Sequence, residues 1–507
     1  MSEGNGTSRP AVVVVGGGIA GLAAAWELSG GAPGPDRSTP GVVVVEAGDR
    51  LGGKLRAEPF GPEPVDVGPD GFLGRRPEAA ALCREAGLGD DLVPVGASGA
   101  AVWVGGHRRT LPASLAIGVP TRFLPTARSR VLGTRGSLRL ALDLLLPRRD
   151  MRGPLGDRAV GPLVGHKLGA RVVERLVDPL IGGIYAGGVD DMSAAAVYPL
   201  LLAVAQHRGG FMRSLRRATA VAKATGTTAG TPEGVAGVAD TEQPAFWSLA
   251  GGLGSLGDRL GAALSARGVT VQVGSRAERL SRHPDGTGWI LDTSHGLLQA
   301  DKVILAVPAG PAADLLAPHD AETAVLLQGI EYAPVTTITL AYPESAVPSG
   351  LVGTGLLVPR TARVPRELGG GPFLVTACTY LSVKWPHLAR SGEVLLRASA
   401  GRFGDERAVG MSDDELVDRV QAELGLLLGL EGAAITTLVA RDVQALPQYR
   451  VHHLLRVTGI EAAVRRLGGL AVAGAAYRGV GIPACVASGR AAAREVLDGP
   501  ESGAPGH

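Results

Sequence analysis

Four valines run directly into a glycine turn near the start of this chain. Val12 to Val15 is followed by Gly16, Gly18 and Gly21 in the pattern G-x-G-x-x-G, and Leu22 to Leu28 continues as an alanine-rich apolar segment. An apolar run without alternation is what a strand buried on both faces of a parallel sheet requires. The glycines have separate reasons. Gly16 permits the reversal, Gly18 lets the backbone approach a pyrophosphate, and Gly21 lets helix and strand pack closely. With 76 glycines in 507 residues, chance matches occur. The strand before and the helix after separate this one from a plain glycine turn and mark a dinucleotide site, with Gly17, Ile19 and Ala20 completing it.

A second all-valine run, Val42 to Val45, ends at Glu46. A carboxylate there accepts both ribose hydroxyls of an adenosine. The interval from Gly16 exceeds the usual separation of about 20 residues, and the Gly/Pro/Ser stretch 30–41 absorbs the excess. Arg50-Leu51-Gly52-Gly53-Lys54 then offers a second glycine pair flanked by cations, and Asp66-Val67-Gly68-Pro69-Asp70-Gly71 follows soon after. At these residues the chain resembles the flavin-containing amine oxidase superfamily, whose members carry this series beneath an FAD.

Composition narrows the class. The 50 basic and 48 acidic residues leave a formal charge of +2, which gives no reason to expect a nucleic-acid partner. Aromatic residues make up 4%, so the core must be built from Val, Leu and Ala. Cys83, Cys378 and Cys485 are scattered and odd in number, which points to a reducing compartment rather than a disulfide framework. Residues 1–10 carry no apolar stretch of a secretory signal, and a cytoplasmic protein is expected. No histidine spacing suggests a metal site, and none is expected.

Further along, 77–218 reads as mainly helical, for instance Arg135 to Leu146 and Val160 to Pro179. It contains Arg122, Arg128, Arg130, Arg135, Arg139, Arg148, Arg149 and Arg152, opposed only by Asp143 and Asp150. Mixed with leucines, these suit a membrane-surface patch, a lining for an anionic substrate, or a solvated helix face. Residues 219–244 offer few large apolar groups and read as a flexible insertion. Phe246 to Ala266 reads as a helix, Val269 to Val273 and Val303 to Val307 as strands. The stretch 311–434 alternates strands with one helix opened by a Ser412/Glu415 capping box. Finally, Leu470 to Ala475 is a strand, Tyr477 to Pro483 a turn, and Ala484 to Val496 a helix whose start is placed to stabilise charge on the flavin. The expected fold class is α/β, with a Rossmann-like FAD-binding domain, a mixed-sheet substrate domain and a helical domain, as in amine oxidases and p-hydroxybenzoate hydroxylase. The expected segments are 1–76, 245–310 and 435–507 for FAD, 77–218 for the helical domain and 311–434 for substrate.

Three segments carry a narrower resemblance: 68–73, GPDGFL; 178–187, DPLIGGIYAG; and 474–483, GAAYRGVGIP. They are similar to those of the oxygen-dependent porphyrinogen oxidases of haem synthesis. The resemblance implies flavin contacts at Gly16 to Gly21, Glu46, Ala47, Lys54, Gly68, Pro69, Asp70, Gly71, Ala277, Ala475, Val480, Gly481 and Ile482. Arg50 and Gly53 join them from the local reading. Ala277 replaces a usual valine, and Arg478 stands where relatives often have an acidic residue. Arg75, Arg76 and Tyr185 are the substrate candidates, the arginines for propionates. The implied reaction takes six hydrogens from a porphyrinogen, with dioxygen becoming hydrogen peroxide, and no catalytic acid or base is assigned. Coproporphyrinogen III is expected in preference to protoporphyrinogen IX, because four carboxylates make more use of the arginines between 75 and 152. An amine oxidase or carotenoid desaturase on the same fold, or a non-catalytic haem-handling or flavin-storage protein, are the rival readings.

Overall fold

A computed structural model describes residues 11–30, 41–145, 156–206, 209–224 and 244–498. The two valine runs pair in parallel, Val12 against Val42 through Val15 against Val45. They are the centre of a five-stranded parallel sheet in the order Thr270–Gln272, Val42–Val45, Val12–Val15, Lys302–Leu305, Leu470–Val472. Side chains alternate between faces along a strand. Val12 and Val14 therefore join one core cluster, with the helices Ile19–Leu28 and Ile482–Asp498, while Val13 and Val15 join another, with Ala309–Leu316 and His453–Leu467. Burial on both faces is why neither run tolerates a polar residue. Glycine sets the helix spacing, since a Cβ on Gly489 would lie 2.0 Å from the Ala20 carbonyl oxygen.

A second sheet of seven strands runs Thr436–Pro447, Tyr332–Pro343, Glu393–Ala400, Val375–Tyr380, Gly355–Leu357, Ala101–Val104, His107–Thr110. The helix Asp413–Leu428 packs on it with the expected Ser412/Glu415 capping box, burying Leu416, Val420, Leu424 and Leu427. Two of its strands come from the stretch read as mainly helical, and Thr436–Pro447 from one read as part of the FAD domain. We propose that the domains are divided along these sheets rather than at residues 77 and 435.

Three local expectations differ. Phe246–Leu249 is a strand, paired with Phe72–Leu73 and Leu92–Pro94, and the helix begins only at Leu256. The aromatic pair favours a pleated surface, and Gly252 at φ 77° breaks any helix there. Residues 219–224 extend the helix Phe211–Ala224, while 225–243 lie outside the described residues, as do Arg148, Arg149, Asp150 and Arg152. The helix read over 160–179 breaks at Gly169, φ 102°, and resumes through a widened turn into Asp178–Tyr185.

Candidate active site

The glycine turn separates into positions that the fold needs and one that it leaves open. A Cβ on Gly16 would meet the Ala306 carbonyl oxygen at 2.5 Å, and one on Gly21 the Gly16 carbonyl oxygen at 1.9 Å. Gly18 is different: its Cβ would find nothing nearer than the Gly53 Cα at 4.0 Å. Gly53 belongs to the second glycine pair, which lies alongside because the Gly52 N–H donates to the Gly17 carbonyl at 2.8 Å. Two stretches of bare backbone thus face each other at the N-terminus of the Ile19–Leu28 helix, where N–H groups and the dipole favour an anion.

Glu46 is fixed at the end of its strand. One carboxylate oxygen accepts from the Gly17 N–H and the other from the Gly48 N–H, each at 2.7 Å. Its backbone joins the neighbouring segment, donating to Gln272 and accepting from Ser275. This places Ala277, at the head of the strand Ala277–Arg282, and the exposed Ala47 on the same rim. An open Gly18, an opposed Gly53 and an anchored Glu46 fit the adenosine diphosphate half of FAD.

The cations expected beside the phosphates have protein partners instead. Arg50 donates to the carbonyls of Leu51, Gly53 and Leu55 at 3.0, 2.6 and 2.9 Å, stapling its own loop. Lys54 pairs with Asp442 at 2.7 Å and reaches the Gln444 carbonyl, joining the cradle to the seven-stranded sheet.

Asp70 is likewise turned inward. Its carboxylate is buried and bound by Lys384 at 3.0 Å, the Trp385 indole at 3.0 Å and Arg397 at 3.2 Å. Burial alone would raise its pKa, but Arg397, Lys384 and the indole together hold it well below the usual carboxylate range. Arg397 also donates to the carbonyls of Asp66 and Gly68. The 66–71 segment is therefore held as backbone. A Cβ on Gly68 would strike the Lys54 carbonyl at 2.1 Å and one on Gly71 the Trp385 ring at 2.6 Å, leaving Pro69 exposed on the outer side. Neither Lys384, Trp385 nor Arg397 stands out in the sequence; the one sign is an arginine inside the apolar strand Glu393–Ala400.

The last glycine turn is organised by Tyr449, which sequence reasoning missed. Its hydroxyl donates to the Ala475 carbonyl at 2.6 Å and accepts from the Gly479 N–H at 2.7 Å. The His453 ring stacks on Tyr449 at 4.0 Å and bonds the Tyr477 carbonyl at 2.8 Å. Burial lowers His453 to about 4, so it is neutral. Tyr185 also packs on Tyr449, ring centres 5.5 Å apart, and is 3% exposed. The structure thus gives Tyr185 a packing position. Val480 meets the same cluster, with the half-buried Leu180, Ile184 and Leu357. The small Gly183 faces Leu357, whose side chain lies 3.6 Å from where a Cβ would sit. These side chains form an apolar seam, here the slot, between the Asp178–Tyr185 helix and the sheet, beside the final turn. Gly481 and Ile482 start the last helix there. Arg478 faces away, in an ion pair with Glu461.

The two arginine candidates are not free forks at this slot. Arg76 is bound by Glu78 at 2.8 Å. Arg75 interacts electrostatically with Tyr198, whose buried phenol is pushed up to about 12.

The chain belongs to the flavin-containing amine oxidoreductase family, whose pattern matches residues 19–497; its cofactor is FAD. Within it, the chain is 30% identical over 500 residues to coproporphyrinogen III oxidase of Bacillus subtilis, covering 98% of this chain and 99% of that protein. It is 35% identical over 520 residues to coproporphyrinogen III oxidase of Propionibacterium freudenreichii, covering 98% and 92%. The crystal structure of an Exiguobacterium protein assigned as a protoporphyrinogen oxidase superposes with a TM-score of 0.80 at 30% identity, covering 97% of this chain and all of that one.

Proposed function

We propose that this protein oxidises coproporphyrinogen III to coproporphyrin III. The observation that carries the reading is similarity at 30 and 35% identity, over nearly the whole chain, to two relatives of that activity. The reading is supported by the apolar seam of Leu180, Ile184, Leu357 and Val480, which lies beside the turn expected at the flavin.

FAD supplies a two-electron acceptor when bound. The protein's part is to bind, position and shield. Gly18 and Gly53 leave room for the pyrophosphate, and Glu46 holds the ribose. The 68–71 backbone, fixed through Asp70 and Arg397, and the turn at 475–482, fixed by Tyr449, would hold the ring system, and the N-terminus of the last helix would stabilise negative charge that develops on it. The walls of the slot exclude water and orient a meso carbon. Substrate loses six hydrogens in three two-electron steps, and three dioxygen molecules become three of hydrogen peroxide. Mixing anaerobic substrate with purified holoprotein tests this: the oxidised-flavin absorbance should bleach within a turnover. Unbleached flavin overturns it.

Among the described residues no helix is long and apolar enough to cross a membrane. We also propose a peripheral contact. Leu124, Leu138, Leu142, Leu144 and Leu145 are all exposed, Leu145 by 75%, beside the exposed Arg128, Arg130 and Arg135. Asp143, which opposes these arginines in the sequence, is buried, and its carboxylate accepts from the Phe211 and Met212 N–H groups. Arginine beside exposed leucine suits an anionic lipid surface.

A further inference from the structure

A cavity of about 210 Å³ opens where the Asp178–Tyr185 helix ends against the seven-stranded sheet. Its walls include Pro359, Arg360, Phe373, Arg402 and Phe403, none of which belongs to the flavin cradle. It is built onto the turn that follows Tyr185. The Phe403 N–H donates to the Ala186 carbonyl at 2.6 Å, and Ala186 itself is left-handed, φ 47°. Arg360 lies so close to Gly188 that a Cβ there would sit 2.6 Å from its Nη1. Leu357 of the slot packs on the helical core and Val358 of the cavity wall on the core of the sheet, so the two are joined only through the Asp178–Tyr185 helix: it borders the slot, and the turn that follows it borders the cavity.

Three arginines and three aspartates lie in and around it, but they do not pair one to one. Arg360 is bound by Asp178 at 2.9 Å and Asp190 at 3.2 Å. Asp405 is taken by Arg407 at 2.7 Å. Arg402, half-buried in the wall, has no side-chain hydrogen bond or ion pair among the described residues. The surplus negative charge of the Asp178–Arg360–Asp190 group lies on Asp190, whose side chain is 66% exposed and screened by water. Burial disfavours the Arg402 charge; Asp178 and Asp405 offset part of that, and Arg360 and Arg407 add to it. A partly buried guanidinium without a partner is costly to hold, and a ligand carboxylate removes that cost. The space is too small for a tetrapyrrole but large enough for a short carboxylate arm. Phe373, Phe403 and Pro359 suit its methylenes, and the Arg402 fork suits its two oxygens.

We propose that this cavity is a carboxylate subsite, in which Arg402 binds one propionate of a tetrapyrrole lying in the slot. The inference rests on the porphyrinogen reading and adds to it a reason for choosing a ring with more carboxylates. A substrate carrying vinyl groups in place of two propionates offers fewer arms to satisfy Arg402.

The test is fluorescence titration of the flavin-loaded protein with coproporphyrin III and with protoporphyrin IX, for wild type, Arg402→Ala and Arg402→Lys. Flavin absorbance and thermal midpoint are monitored throughout. Arg402→Ala should weaken coproporphyrin III binding by about tenfold or more, weaken protoporphyrin IX less, and raise KM for coproporphyrinogen III more than it lowers kcat. Arg402→Lys should restore part of the binding. If Arg402→Ala does not retain flavin, Arg402→Gln keeps the side-chain bulk and answers the same question. Wild-type affinity in the folded variant overturns the subsite while wild-type turnover keeps the oxidase reading. Conversely, Arg402-dependent porphyrin binding without porphyrinogen oxidation keeps the subsite and overturns the oxidase. A wild type that binds neither porphyrin overturns both.

Discussion

The Tyr449 hydroxyl accepts a hydrogen bond from the Gly479 amide at 2.7 Å and thereby fixes the turn that we propose to lie against the flavin. The same oxygen donates to Ala475, so one atom spans both limbs of the turn. Tyr449→Phe keeps the ring packing against Tyr185 and His453 but leaves the buried Gly479 N–H unpaired, at about 1–3 kcal/mol. The variant should fold, with a lowered thermal midpoint and an FAD dissociation constant raised about tenfold. Release of FAD fluorescence on dilution measures this, and a wild-type dissociation constant contradicts it.

Gly18 and Gly21 should respond in opposite ways to the same substitution. Gly18→Ala meets no atom nearer than 4.0 Å, so the protein should fold with near-wild-type circular dichroism while losing most of its flavin. Gly21→Ala puts a methyl 1.9 Å from the Gly16 carbonyl oxygen and should fail to give soluble protein or lose several kcal/mol. Bound FAD per folded chain separates the two. A Gly18→Ala protein that stays fully yellow would sink the cradle assignment.

His453 gives the fold a sensitivity to acid. Burial depresses it from 6.5 to about 4 in the folded protein, so the unfolded chain binds the extra proton first. Stability from this group is complete above pH 6.5 and is lost as pH falls toward 4, by roughly 2 kcal/mol between pH 7 and 5. His453→Gln removes the titration. Its thermal midpoint, though lower at pH 7, should change less between pH 7 and 5 than that of wild type. Equal pH dependence of the two proteins would contradict the assignment.

Membrane contact predicts co-sedimentation with vesicles containing anionic phospholipid at low salt and release at high salt, because the arginine contribution is screened. Leu138→Ser with Leu145→Ser removes exposed apolar area without touching the core, and should weaken binding severalfold while leaving turnover in solution alone. Absence of low-salt binding by wild type contradicts the contact.

What is legible in the sequence is local. The valine runs, Gly16 to Gly21, Glu46 and the Ser412/Glu415 cap each show as a pattern within a short stretch, even where the partner, such as Gly17 for Glu46, is distant, and the parallel sheet follows from them. Phe246-Trp247 reads as helix because its partner strands, at 72–73 and 92–94, are far off in the chain, and pairing overrides a helical-looking continuation. The charges are hardest to place. Arg50, Lys54, Arg76 and Asp70 look like ligand groups until Leu55, Asp442, Glu78 and Arg397 are found beside them. Nothing in the chain order links Asp70 to a strand more than 300 residues later. Tyr449 is invisible for the same reason, its partners being backbone atoms of a turn that shows itself in the sequence only as glycine-rich.

The most direct test is turnover of coproporphyrinogen III by the purified flavoprotein in air, with flavin-free protein as the control for spontaneous oxidation. Porphyrin fluorescence and hydrogen peroxide are recorded together. The account predicts coproporphyrin III and peroxide in a ratio of one to three, with kcat/KM higher for coproporphyrinogen III than for protoporphyrinogen IX. No porphyrin formation above the flavin-free control, or a clear preference for protoporphyrinogen IX, would contradict it.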